Sequence, residues 1–424
     1  MSPTFSSLSV RNYRLYFAGM LSSNTGTWMQ RMAQDWLVLT LTAGSGTSLG
    51  ITIGLQFLPF LLFSLWGGTL ADRLRRRSLL LVTQALMGLL AVGLGVLTLS
   101  GHVTVMQVYA FSLALGVISA LDTPARQAFV SEMVGRDHIS NAVALNSASF
   151  NVGRIIGPSV AGLLIAAIGT GWVFILNGFT FAAAILALSL IRVGDLVAPM
   201  TAAERANVRL RDGLTYLRKR PDLIMVLLIV TAVGTFGFNF QLTLALMAQQ
   251  EFGGTAREFG LFSTALAVGA LAGSLLAARR GAPRLILVTG AAAVFALLEI
   301  VAALMPTPIS FGLFLPLVGI AALTFSNAAQ SFLQLGTAPH MRGRVLGFYS
   351  LVFFGGTPIG APLLGMLADS AGPRWTLGIG GLCVLVCVII TAAVLRGRLT
   401  AVAKPESADP IAPRAPSVGV PSEA

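Results

Sequence analysis

The chain has 424 residues, 55% hydrophobic and only 10% charged, with a net charge of +12. A soluble domain carries roughly 25% charged residues, so this chain lacks the polar groups to cover a water-facing surface, and a soluble enzyme is excluded. Nucleic-acid binding, which the positive charge would otherwise suggest, is excluded as well, because the basic residues fall in short segments between apolar runs.

Those apolar runs are long enough to cross a hydrocarbon layer roughly 30 Å thick. They are read at 12–41, 49–70, 79–100, 104–125, 141–166, 172–192, 223–247, 259–279, 284–304, 309–331, 345–368 and 375–396. Helices are the expected element, since an open sheet edge has no partners in lipid. The expectation is therefore an all-α membrane protein with 12 transmembrane helices. Its parts are a first bundle (1–192), a linker (193–222), a second bundle (223–396) and a tail (397–424).

In chain order, the start shows no signal-peptide pattern, and the first span is expected to serve as its own insertion signal. That span carries Arg31 and Asp35, one helical turn apart on a shared face. A short polar insert, Gly68 to Arg77, separates the second and third spans. The fifth span holds Arg154 within a glycine-rich run, Gly153 to Gly162. In the linker, Leu210, Leu214 and Leu217 stand at helical spacing among basic residues, which predicts a basic amphipathic helix on the cytoplasmic surface. Glu299 lies toward the outer end of the ninth span, where it is expected to reach the membrane surface. Cys383 and Cys387 sit four residues apart in the last span. With no further ligands nearby they predict neither a disulfide nor a metal site. His102, His138 and His340 have no metal spacing, and no nucleotide-binding loop is present, so no cofactor is expected. The tail is rich in Pro, Ala and Ser and predicts disorder.

Orientation follows from the basic residues. If the N-terminus is cytoplasmic, 24 of the 28 Lys and Arg fall in cytoplasmic segments. Only Arg257 and Arg374 fall outside, and Arg31 and Arg154 lie within spans. This positive-inside bias predicts that both termini are cytoplasmic. The preference for Arg over Lys points to a GC-rich bacterial genome, hence a bacterial inner membrane. The two halves also look related. At an offset of 203, Gln127, Phe129, Gly153, Gly157 and Gly162 align with Gln330, Phe332, Gly356, Gly360 and Gly365. A six-span unit repeated in parallel predicts two pseudo-symmetric six-helix bundles with a site at their interface.

Gly68-Thr-Leu-Ala-Asp72-Arg73-Leu-Arg75-Arg76-Arg77 resembles the signature between helices two and three of the major facilitator superfamily, with Arg75 where that family usually has Gly. The resemblance extends over essentially the full length. It implies a latch in which Gly68, Asp72 and Arg73 tie to the cytoplasmic end of helix four, where this chain offers Asp122. The second-half copy, Gly273 to Arg280, has lost the acid. Gly153-Arg-Ile-Ile-Gly157-Pro158-Ser-Val-Ala-Gly162 is similar to the family's antiporter motif, in which small residues allow close helix approach and the proline bends the helix. The first span and Tyr216 to Leu223 resemble the branch of enterobactin exporters and macrolide-efflux proteins. That branch implies proton-driven export of amphipathic small molecules.

Charges inside spans are costly, about 2.5–3.5 kcal/mol on insertion scales, and mark function. Helices one, four, seven and ten line the cavity in the fold the resemblance implies, so Asp35 is the expected proton carrier, with Arg31 or Arg154 as its counter-charge. The alternative is a structural Arg31–Asp35 pair near the outer interface. Asn24, Trp28, Gln34, Gln127, Phe236, Asn239, Gln241, Asn327 and Gln330 are candidate substrate contacts. The expected partners are an amphipathic small molecule, a proton and the bilayer, with no nucleic acid, and the protein is expected to be a monomer. An importer of a metabolite and a non-transporting scaffold or receptor are the competing readings.

Overall fold

The computed structural model describes residues 3–135, 138–196, 210–278, 283–339 and 341–394; the side chains of residues 3, 4, 64–73, 140, 210–212 and 278 lie outside that description. The expected tail and residues 197–209 of the linker therefore fall outside the described residues. The described chain is helical. In order, α1 spans Arg11–Leu41, α2 Gly46–Arg73, α3 Arg76–Leu99, α4 Val105–Met133, α5 Ile139–Ile168 and α6 Thr170–Ser189. After the linker come α7 Leu210–Arg218, α8 Pro221–Ala232, α9 Phe240–Leu246, α10 Ala256–Ala278, α11 Leu285–Ala303, α12 Pro308–Gly336, α13 Arg342–Gly355, α14 Thr357–Ala371 and α15 Arg374–Val394.

Among the described residues, 11 helical segments are long and apolar enough to cross a membrane. The expectation was 12. The segment outside that set is α1, which has 31 residues but carries Arg11, Arg14, Arg31, Asp35 and several Asn and Gln residues. Its length suits a span and its polarity does not.

Local signals set the boundaries. Thr104 and Thr307 cap α4 and α12 with reciprocal capping boxes. Gly169 and Gly372, at φ 83° and 102°, end α5 and α14 in a conformation that favours glycine. In both cases the paired residues lie 203 apart in sequence, as do the glycines noted above. Two spans are interrupted, which periodicity did not predict. Between α8 and α9, and again after α9, the backbone passes through π-helical turns at Val233–Gly237 and Met247–Glu251. A second interruption lies at Gly356, where Pro358 starts α14. The amphipathic α7 forms as predicted, but it seats against protein. Leu217 is buried, Gly213 lies against Phe348 and Arg344, and the Ala338 N–H donates to the Tyr216 hydroxyl at 3.2 Å.

Helices α1 to α6 pack chiefly on one another, as do α8 to α15. Two seams join the groups, α2 on α14 and α5 on α10. In lipid no hydrophobic force drives helices together, so close backbone approach through small residues carries the contact. Both seams follow that rule. A Cβ on Gly365 would lie 2.2 Å from the Gly46 carbonyl, and one on Gly162 would lie 2.9 Å from the Gly260 Cα.

Candidate functional site

Trp28, Arg31 and Asp35 recur at one-turn spacing on α1 and face the junction of α1, α2, α5 and α9. Asp35 is fully buried. The Gln241 side-chain amide donates to its Oδ2 at a long 3.5 Å, and its Oδ1 is buried without a partner. Among the described residues no salt bridge joins Asp35 to Arg31. The guanidinium lies instead over two rings, 5.0 Å from the centroids of both Trp28 and Phe57, and its Nε is buried without an acceptor. Such a stack is worth ~2 kcal/mol when desolvated. Trp28 also meets Phe150 edge-on at 5.7 Å. Arg154 follows Phe150 by one turn of α5, half-buried and with no hydrogen bond or ion pair among the described residues. The site therefore gathers one unsatisfied acid, one cation without a carboxylate partner among the described residues and three aromatic rings, with Arg154 one turn along α5 from Phe150.

Gln241 reaches Asp35 because its span is broken. Phe238 leaves the helical path, its N–H donating back to the Val233 carbonyl in a π turn. Asn239 folds over the break, its side-chain amide donating to the Thr235 carbonyl at 2.7 Å. Single π turns inside helices are common at functional sites.

A second polar cluster surrounds Asp122. Asp122 lies in α4 about 16 Å before the helix ends at Met133, from the helical rise. It accepts from Thr83 at 2.7 Å, from Gln84 at 3.0 Å and from both Nε and Nη2 of Arg126. Arg126 also donates to Asn24 at 2.7 Å, and Asn24 donates to Ser149 at 3.1 Å. Among the described residues, Asp122 thus ties α1, α3, α4 and α5 together. The end of α4 is tied to α3 by an Arg76–Glu132 ion pair. Gly68, Asp72 and Arg73 belong to α2, and their side chains lie outside the described residues.

The glycine run of α5 divides its work. Cβ atoms on Gly153 and Gly157 would press on Asn24 and Trp28 of α1, whereas Gly162 and the Pro158 carbonyl face Gly260 of α10. Pro158 sits inside α5, which continues through it. Their counterparts repeat the division: Gly356 and Gly360 lie on Thr235, and Gly365 lies on Gly46 of α2.

The ends of the molecule differ. Asp369 of α14 accepts from the backbone N–H groups of Gly46 and Thr47 at 2.6 and 2.9 Å and from the Ser45 hydroxyl at 3.3 Å, capping α2 across the seam. Gln250 donates to the Gly44 carbonyl nearby. Hydrogen bonds and ring contacts join the two groups from mid-depth to this end.

Of the other predicted contacts, Asn24 and Gln34 are buried in interhelical bonds, Gln34 donating to Ser112 at 2.5 Å. Phe236 lies in the π turn, with its carbonyl against Gly380. Gln127 and Gln330 are exposed on α4 and α12, and Asn327 is half-buried. Sequence reasoning missed Arg126, placed in a loop although its spacing from Asp122 is that of a helical ion pair. It also missed Phe57, Phe150 and Asp369. Only Asp369 carried a signal, as an acid at the end of an apolar span.

The interrupted spans, the glycine seams and the buried acid between two related groups define a membrane transporter of the major facilitator type. Residues 2–416 match the family described as transmembrane secretion effector, and the chain belongs to that family of the major facilitator superfamily. It is a multi-pass membrane transporter, not an enzyme. Similar proteins include the multidrug efflux pump Tap of Mycolicibacterium fortuitum, 29% identical over 83% of this chain and 88% of that protein. The enterobactin exporter EntS of Shigella flexneri is 27% identical over 82% of each chain. The staphyloferrin A transporter of Staphylococcus aureus is 23% identical over 87% of this chain and 92% of its own. Among solved structures, a bacterial homologue of the human lysosomal transporter Spinster superposes with a TM-score of 0.70 at 16% identity, covering 93% of this chain and 96% of that one. A D-xylose–proton symporter gives a TM-score of 0.70 at 14% identity, covering 90% and 97%. These likenesses establish the fold.

Proposed function

We propose that the protein exports amphipathic small molecules that carry a negative group, in exchange for protons, by alternating access. In this reading the twelve spans, α1 included, form two six-helix bundles, 1–192 and 223–396, joined by the linker. Both termini face the cytoplasm, as the arginine distribution favours. The molecule is then open to the cytoplasm and closed at the outer end, where Asp369 caps α2. The observation that carries the reading is Asp35: a fully buried acid with one oxygen unpartnered among the described residues, and a hydrogen bond from Gln241 of the opposite group. An unpaired charge in an apolar interior is expensive, and a bound proton removes it. Protonation from outside and release toward the cytoplasm would couple that cost to the change of state. Arg31 and Arg154, which have no carboxylate partners among the described residues, together with Trp28, Phe57 and Phe150, suit an anionic amphipath with apolar or aromatic parts. Tap and EntS, named for drug efflux and enterobactin export, support the direction.

The test is efflux from cells expressing the protein, using a panel of anionic and cationic fluorescent amphipaths and siderophores, with and without a protonophore. Efflux of anionic compounds that stops with the protonophore supports the reading. Accumulation of a panel compound driven by the proton gradient reverses it to import.

A further inference from the structure

We propose that Glu299 is a second proton-binding site, separate from Asp35 and placed behind the break in the α8–α9 span. The proposal rests on the antiport reading for its role in transport, and on geometry for its existence. The sequence placed Glu299 at the membrane surface. It is instead 1% exposed, and its Oε2 is buried without a hydrogen-bond partner. Three glycines make its cradle. A Cβ on Gly237 would stand 3.3 Å from Oε2, one on Gly380 would stand 4.0 Å from it, and one on Gly381 would stand 3.3 Å from the Glu299 Cβ. Any larger side chain at Gly237 would narrow the space in which the carboxyl sits. Phe295, one turn earlier on α11, packs beside Gly237 and against Phe238 and Phe240.

The elements packed on α11 are α8, the Val233–Gly237 turn, α12 and α15. Their charges lie at their ends and are already engaged. Asp222 at the start of α8 is held by Arg220, and Arg374 at the start of α15 is held by Glu251 and the Ala303 and Met305 carbonyls. The remaining titratable groups are the thiols of Cys383 and Cys387 on α15; the Cys387 Sγ lies 3.7 Å from the Leu228 carbonyl. No described cation reaches Glu299. A carboxylate in this cradle would be an unpaired charge at membrane depth, so the group takes up one proton and holds it as a neutral acid. No co-reactant is needed, since the proton comes from water and returns to water. The wall that encloses it is the same broken segment that carries Gln241 to Asp35. A movement of α9 that separates Gln241 from Asp35 also shifts Gly237 from Glu299 and opens the cradle to solvent. One hinge thereby borders two proton sites.

The test uses purified full-length protein in lipid nanodiscs: wild type, Glu299→Gln and Asp35→Asn. Infrared spectra of the carboxyl carbonyl-stretch region, recorded at one pH for wild type and each variant, read protonated carboxyls directly. Glu299→Gln is expected to remove one component of that band and Asp35→Asn a different one. A Glu299→Gln spectrum that overlays the wild type overturns the proposal. Should the amide variant fail to fold, Glu299→Asp serves instead, with a shifted component expected and an unshifted band overturning the proposal. Loss of the Glu299 component alongside protonophore-insensitive export would sink the antiport reading while leaving the proton site intact.

Discussion

Asp35 is set apart by what it lacks. Its neighbour Arg31, one turn away, would have been its natural ion-pair partner, yet the guanidinium is taken up by Trp28 and Phe57. Asp122 shows the contrast: every acceptor position of that acid is filled by Thr83, Gln84 and Arg126. The two acids should therefore fail differently. Asp122→Ala leaves Arg126 buried without its charge partner and is expected to cost about 3–5 kcal/mol of stability, seen as a lower denaturation midpoint of the purified protein. Asp35→Asn should leave that midpoint nearly unchanged and abolish coupling. For an antiporter that takes protons from outside, wild-type export at fixed internal pH should fall as external pH rises. The Asp35→Asn profile should be low and flat, and a variant that retained the wild-type slope would place the coupling proton elsewhere.

At the scale of elements, the seams decide which end is open. Small residues at Gly46, Gly162, Gly260 and Gly365 allow backbone contact, and each has no room for a Cβ without displacement. Gly365→Leu is expected to wedge α14 from α2 and favour the outward-open state, read as increased labelling of an engineered cysteine at the outer end of α2. Gly157→Ala should instead loosen α5 on α1, because its Cβ would meet the Trp28 Cβ at 2.7 Å, and should lower the yield of folded protein. Span positions, the α7 helix and the α5 glycine run were legible in the sequence, since hydrophobic length and small-residue spacing are local signals. The π turns at Val233–Gly237 and Met247–Glu251 were not, because a continuous apolar run reads the same whether or not its hydrogen bonding slips by one residue. Gln241 and Asp35 were both candidates in the sequence, but the contact between them across the broken span was hidden with that slip. The Thr83, Gln84 and Arg126 partners of Asp122 were hidden for another reason: an acid near an expected helix end gives no sign of how far the helix continues.

For the whole molecule, the proposed alternating access makes the outer contacts one state of a two-state device, biased by a few polar contacts across the seam. Asp369 is the clearest of these, joining α14 to the start of α2 through three donors. Asp369→Ala removes the cap, worth ~1 kcal/mol at a typical helix start, and should shift spin-label distances across the outer ends of α2 and α14 toward longer values. An unchanged distance distribution would show that the glycine contacts alone hold that end shut. The most direct test of the central claim is efflux of an identified panel compound by wild type and Asp35→Asn, each with and without a protonophore. The proposed mechanism predicts wild-type efflux that collapses with the protonophore and an Asp35→Asn protein that folds, reaches the membrane and does not export. Proton-driven efflux that persists in Asp35→Asn would contradict it and reduce Asp35 to a structural residue.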